Sequence, residues 1–238
     1  MAGHSKWKQI KHKKALLDSK RGKKFTKLIK EITVAAKLGG GDPDGNPRLR
    51  TLLEKAKEIN MPAENATRAI KKGTGELPGS SYEAHIYEGY GPHGIAVMVE
   101  TLTDNKNRTV AELRHIFSKH GGTLAENGAV SWMFKHMAVI HCTAGTKTED
   151  DFLEQLLDFN IESISVEDNQ AEIVADPKQL ETIKKVIAGS GTKIIAAEIE
   201  WVPTTKITVD ETAGEQVIEF LEAIEDLDDV QEVYANMA

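Results

Sequence analysis

Apolar residues in the first third of the chain recur at helical spacing. Phe25, Leu28, Ile29, Ile32 and Ala36 predict one helix, closed by Gly39, Gly40 and Gly41. The run Asp42-Pro43-Asp44-Gly45-Asn46-Pro47 predicts a turn into a second helix, with Leu49, Leu52, Leu53, Ala56 and Ile59 on one face. Asn60 is expected to cap a third helix, with Pro62 in its first turn, Ala66 and Ile70 inward, and Gly73 and Gly75 as the stop. Residues 1–24 hold few apolar positions and are expected to form an arm or a frayed first helix. Three short amphipathic helices make a small domain whose outer faces carry Lys27, Lys30, Arg48, Arg50, Arg68, Lys71 and Lys72.

After Pro78 the period shortens to that of strands. Tyr82–Tyr90 and Ile95–Thr103 flank Gly91-Pro92-His93-Gly94 and read as a hairpin. Asp104-Asn105 is expected to cap a helix carrying Val110, Leu113, Ile116 and Phe117, and Val130–Phe134 reads as the next strand. Then comes a self-contained series: strand Ala138–Thr143, helix Glu149–Phe159, strands Ser163–Glu167 and Ala171–Ala175, helix Pro177–Ala188, strand Lys193–Glu200. That order is the split β-α-β-β-α-β arrangement of ferredoxin-like folds. Lys206–Val209, Gly214–Ile224 and Val230–Tyr234 remain, and joined to Ile95–Phe134 they complete a second such set. The expected fold class is α+β in three domains: a basic three-helix domain and two ferredoxin-like α/β domains, one inserted in the other. The expected boundaries are 1–78, a discontinuous 79–134 plus 206–238, and an insert at 135–205.

Charge adds what periodicity does not show. The 238 residues carry a net charge of −7, with 40% hydrophobic and 28% charged residues, which excludes a disordered or fibrous chain. Residues 1–78 hold 19 Lys and Arg against 8 Asp and Glu, a charge of +11; the remainder holds 11 against 29, or −18. Such asymmetry points to a basic nucleic-acid-binding or membrane-surface module on an acidic body. The longest uninterrupted aliphatic stretch, Ile95 to Val99, is far too short to span a membrane. The amino terminus lacks the apolar core of a secretory signal, and the single cysteine, Cys142, excludes an internal disulfide framework. A cytoplasmic location is the simplest reading.

Candidate chemistry is sparse. Asp42, Asp44 and Asn46 open like a calcium loop, but Pro47 and Leu53 stand where glycine and glutamate belong. Gly22-Lys23-Lys24-Phe25-Thr26 lacks the upstream glycine and strand of a phosphate loop. Gly89, Gly91 and Gly94 have dinucleotide-site spacing but lie between strands, so a hairpin is the better reading. The eight histidines show no metal frame and are read as exposed or capping residues. Cys142 reads as a core thiol, with His141 on the opposite strand face. Thr103-Asp104-Asn105-Lys106-Asn107-Arg108-Thr109 is either a capped strand-to-helix turn or a helix terminus presenting Lys106 and Arg108 to a phosphate. Trp7, alone among lysines, either stacks on a base or docks back onto the helices. No catalytic set, cofactor site or metal site emerges.

Several motifs are familiar together. Gly3-His4-Ser5-Lys6-Trp7, Arg21-Gly22-Lys23, Phe25-Thr26-Lys27, Asn46-Pro47-Arg48-Leu49-Arg50, Asn60-Met61-Pro62 and Arg68-Ala69-Ile70-Lys71-Lys72-Gly73 resemble the YebC/PmpR family. Tyr87-Glu88-Gly89-Tyr90-Gly91-Pro92 and the 103–109 segment match as well, while His93 stands where the family more often carries glycine. The resemblance runs over essentially the whole chain. It implies three domains, a cytoplasmic location and a nucleic-acid-linked regulatory role: DNA-binding transcriptional regulation as described for bacterial members, or a role in translation, since related mitochondrial proteins are translational activators.

The expected function is a non-enzymatic, DNA-binding transcriptional regulator, with a ribosome-associated translation factor as the alternative. The expected nucleic-acid contacts are Lys6, Trp7, Lys8, Lys11, Lys13, Lys14, Lys20, Arg21, Lys23, Lys24, Lys27, Arg48, Arg50, Arg68, Lys71 and Lys72. Asp104, Asn105, Lys106, Asn107 and Arg108 form a further candidate polar contact loop. The acidic domains are candidate surfaces for a protein partner. A monomer without cofactor, metal or membrane attachment is expected.

Overall fold

The computed structural model describes residues 21–79 and 81–238. Helix α1 (Arg21–Gly39) buries Leu28, Ile32 and Ala35 against Leu49, Leu52 and Ala56 of α2 (Pro47–Glu58) and Ala66 and Ala69 of α3 (Ala63–Gly73). One buried side chain joins the first two. Asn46 accepts from the Leu49 backbone N–H at 3.1 Å, capping α2, and its amide donates to the carbonyls of Ala35 and Gly40 at 2.9 Å. The Asp42–Asn46 segment is thus a capping turn. Gly73 ends α3 where a Cβ would collide with the Thr33 carbonyl, so glycine is required for the close approach to α1.

Asn60 is not the cap expected from sequence. It has φ +56° and closes α2, with its N–H bonded to the Lys57 carbonyl and that of Met61 to Ala56. This is the left-handed C-terminal motif that asparagine tolerates, so α3 begins only at Ala63, after Pro62, without a side-chain cap. At the other end, Arg21–Lys24 belong to α1 instead of to an arm.

From Glu83 onward the elements are β1 (Glu83–Tyr90), β2 (Ala96–Thr103), α4 (Lys106–Lys119), β3 (Thr123–Ala125), β4 (Phe134–Thr143), α5 (Glu149–Gln155), β5 (Ile161–Glu167), β6 (Gln170–Ala175), α6 (Leu180–Gly189), β7 (Ile194–Pro203), α7 (Glu211–Glu225) and β8 (Val230–Ala235). They form two four-stranded sheets, ordered β3-β1-β2-β8 and β5-β6-β4-β7. The described residues fall into two compact units. One runs through Ala129 and includes Glu211–Val233; the other holds Val130–Asp210 and Tyr234–Ala238.

In the first unit, β1 and β2 pair antiparallel over their full length around a short 3-10 turn at Pro92–Gly94, where His93 has φ +58°. The Gly89-Gly91-Gly94 spacing therefore belongs to a hairpin. Gly91 also leaves room for the Phe220 ring, which meets Phe117 edge-on at 4.9 Å between α4 and α7. In the second unit, β4-α5-β5-β6-α6-β7 has the ferredoxin-like strand order, and Ile140, Cys142, Phe152, Leu156, Ile173, Ile183 and Ile187 fill its core. Burial pushes the Cys142 thiol up to about 11, countered in part by Lys147, as suits an inert core residue.

The second ferredoxin-like set is assembled differently from the sequence expectation. Val130–Phe134 is not a strand; Ser131–Met133 is a 3-10 turn, and the strand after α4 is the three-residue β3, paired to β1. Lys206–Val209 makes only a single bridge, Ile207 to Met237. Its expected place in the sheet is taken by β1, whose continuous register with β2 supplies eight paired positions. Helix α5 stops at Gln155, short of Phe159. His141 is buried, not exposed or capping, with Nδ1 3.9 Å from the Glu172 carboxylate.

Candidate nucleic-acid interface

Helix α1 carries Lys23, Lys27 and Lys30 at i, i+4 and i+7, which places them along one side. All three point at the carboxyl-terminal end of α7 and the loop into β8. Lys23 pairs with the Asp226 carboxylate at 3.0 Å, and Lys27 donates to the Glu225 and Gln231 carbonyls at 3.2 and 3.5 Å. Lys30 meets Asp229 at 2.7 Å and the Asp228 carbonyl at 2.7 Å, under the Tyr82 ring. A helix end leaves its last carbonyls without intrahelical partners and carries partial negative charge, which cations satisfy. Lys30 is therefore a buried residue and not the outer-face residue expected from sequence.

Asp229 is the centre of this clasp. One carboxylate oxygen accepts from Lys30; the other accepts from Arg108 at 2.7 Å, Thr109 at 2.8 Å and Thr103 at 3.0 Å. Burial alone would push the carboxyl up, but hydrogen bonds from Lys30, Arg108 and Thr109 and the Lys30 charge hold it down at about 2. The clasp thus ties α1, the start of α4 and the α7–β8 loop to one anion.

The 104–108 loop takes part in it. Asn105, not Asp104, caps α4 by accepting from the Arg108 N–H, while Arg108 also pairs with Asp104 at 3.0 Å. Lys106 and Asn107 are exposed.

A different basic surface remains open. Lys24, Arg48, Arg50, Arg68, Lys71 and Lys72 are exposed on the three helices. Arg50 is held at the mouth of the 42–46 turn by the Pro43 and Asp44 carbonyls at 3.2 and 2.9 Å. Arg68 pairs with Glu64 at 2.8 Å, but both are mostly exposed, and such a pair is worth only about 0.2–0.5 kcal/mol, less than a phosphate contact can replace. Lys6, Trp7, Lys8, Lys11, Lys13, Lys14 and Lys20 lie outside the described residues, and Arg21 opens α1. Sequence reasoning missed Asp229, hidden in the acidic run from Glu225 to Asp229, and Lys57, exposed two turns beyond Arg50 on α2.

Among the described residues no cluster of three His, Cys, Asp or Glu could hold a metal ion, and no helix is long and apolar enough to cross a membrane.

A basic helical segment followed by two four-stranded α/β sheets, one drawing its strands from both sides of the other in sequence, defines the architectural class. A family model described as TACO1/YebC protein N-terminal domain matches residues 5–76, and one described as TACO1/YebC second and third domain matches residues 82–237. The chain belongs to the TACO1/YebC family. It is 54% identical over 237 residues to a probable transcriptional regulatory protein of Syntrophus aciditrophicus, covering 99% of this chain and 95% of that one. A protein of the same description from Desulfosudis oleivorans is 51% identical over 236 residues, covering 99% and 96%. The crystal structure of the conserved hypothetical protein Aq1575 from Aquifex aeolicus has the same fold, with a TM-score of 0.80 and 46% identity over 93% of this chain and 91% of that one.

Proposed function

We propose that this chain is a non-enzymatic, cytoplasmic nucleic-acid-binding regulator of gene expression, acting on DNA as a transcriptional regulator. The observation that carries the reading is the segregated charge: +11 on residues 1–78, with Arg48, Arg68, Lys71 and Lys72 exposed on the helices. These side chains neutralise phosphates and orient the protein on the polyanion, while the acidic remainder opposes unproductive contact. The names of the two bacterial relatives support a regulatory role.

Translation through ribosomal RNA is the second reading. It rests on the exposed cations of α3, Arg68, Lys71 and Lys72, which suit contact with the phosphate backbone of RNA as well as of DNA. Crosslinking in cells followed by sequencing of the bound nucleic acid separates the two. Enrichment of promoter fragments supports the first reading, ribosomal RNA the second, and enrichment of neither overturns both.

A further inference from the structure

Helices α2 and α3 each pack on α1 but diverge from one another, leaving a groove of about 340 Å³ between them. Its floor is apolar, made by Leu53, Ala56, Met61 and Ile70. It stays open because the α3 wall presents Ala63 and Ala66, where larger aliphatic side chains would fill the space and bury more apolar surface. On the α2 wall, Arg50, Glu54 and Lys57 follow at i, i+4 and i+7, so one carboxylate stands between two cations.

We propose that this groove receives one unpaired, amino-bearing nucleobase of the nucleic acid held by the basic face; the inference rests on the nucleic-acid reading above. The volume lies at the lower end of the range for small-molecule clefts, the scale of a single nucleoside. The charge order selects a base over a phosphate. Glu54 repels an anion inside the groove but accepts hydrogen bonds from the exocyclic amino group of adenine, cytosine or guanine. Arg50, fixed by the Pro43 and Asp44 carbonyls, and Lys57 stand on either side of Glu54, where the flanking phosphates emerge. Thr67 donates its hydroxyl to the Ala63 carbonyl at 3.0 Å and keeps lone pairs free to accept from the base. Bases displaced from a stack are held in this manner, by apolar contact on their faces and polar contact at their edges.

The test uses the full chain and equilibrium fluorescence anisotropy with RNA duplexes that are fully paired, carry one bulged adenosine, carry one bulged uridine, or carry one abasic bulge, each with a DNA counterpart. The bulged adenosine should bind about tenfold tighter than the paired duplex, and the abasic bulge should lose that gain. Ala63→Phe, which places a ring in the groove from an exposed position, should reduce the bulged adenosine to the level of the paired duplex. Its affinity for the paired duplex should stay within about twofold, since that binding is driven by phosphates. Glu54→Gln should narrow the preference for adenosine over uridine. Should Ala63→Phe fail to fold by circular dichroism, Thr67→Leu on the same wall serves in its place. Equal affinity for bulged and paired duplexes, or a preference that survives the groove-filling variant, overturns the groove assignment alone. Failure to bind any of the probes overturns the nucleic-acid reading itself. The RNA and DNA arms identify which polymer supplies the base.

Discussion

The lysines of α1 and the cations of α2 and α3 are the same kinds of residue in the same basic segment, yet their surroundings give them different work. Lys23, Lys27 and Lys30 are spent on the end of α7, and Lys30 is 6% exposed beside a carboxylate it neutralises. Arg48, Lys71 and Lys72 stand in solvent, and Arg68 is tied only to an exposed glutamate. A count of positive charge treats these groups alike. Burial separates them, because a cation removed from water must have a fixed anionic or carbonyl partner, whereas a solvated one can exchange its counterions for phosphate.

The comparison breaks most visibly at Asp229. Asp229→Ala leaves Lys30 buried without its carboxylate and should destabilise the fold by about 3–5 kcal/mol, read from urea unfolding followed by circular dichroism. A loss below about 1 kcal/mol would place Lys30 with the solvated cations.

Acid sharpens the same point. The folded Asp229 carboxyl lies at about 2, below its ordinary 3.8, so its contribution is fully present above about pH 4 and disappears as pH falls towards 2. The difference corresponds to about 2 kcal/mol. Stability measured between pH 5 and 2 should fall less steeply in Asp229→Asn than in the parent chain, and parallel curves would remove Asp229 from the clasp.

Lys27→Ala, which strips hydrogen bonds from two partly buried carbonyls, should cost about 1.5 kcal/mol. Lys23→Ala should cost less than about 1 kcal/mol, since Lys23 and Asp226 are each more than two-fifths exposed. Reversal of that order in denaturant unfolding would mean that the clasp is organised from its exposed end instead of its buried one.

Much of the fold was legible because its signals are local. Helical spacing from Phe25 to Ile70 and the turn residues at 91–94 mark their elements within a few residues. The element order from β4 to β7 likewise reads as a ferredoxin-like unit. The β1–β2 hairpin is local and was legible, but the pairings of β1 with β3 and of β2 with β8 are long-range, and β3 is too short to show alternation, so these escaped the pattern. Lys30 escaped for another reason. It follows Leu28 and Ile29 as any amphipathic-helix lysine does, and the aspartate that explains it lies 199 residues away. The exposed cations were legible as a group, but the groove beside them depends on how α2 and α3 diverge, and no spacing in the sequence records that.

The most direct measurement is the salt dependence of duplex binding by two full-length variants. Combined Ala replacement of Arg48, Arg68, Lys71 and Lys72 should reduce the slope of log affinity against log salt by about 3.5 units, at roughly 0.9 for each phosphate no longer neutralised. Lys23→Ala combined with Lys27→Ala should lower stability but leave that slope within about 0.5 units of the parent. The reverse pattern, a steep loss from the α1 pair and none from the α2 and α3 set, would contradict the division of labour between the two faces.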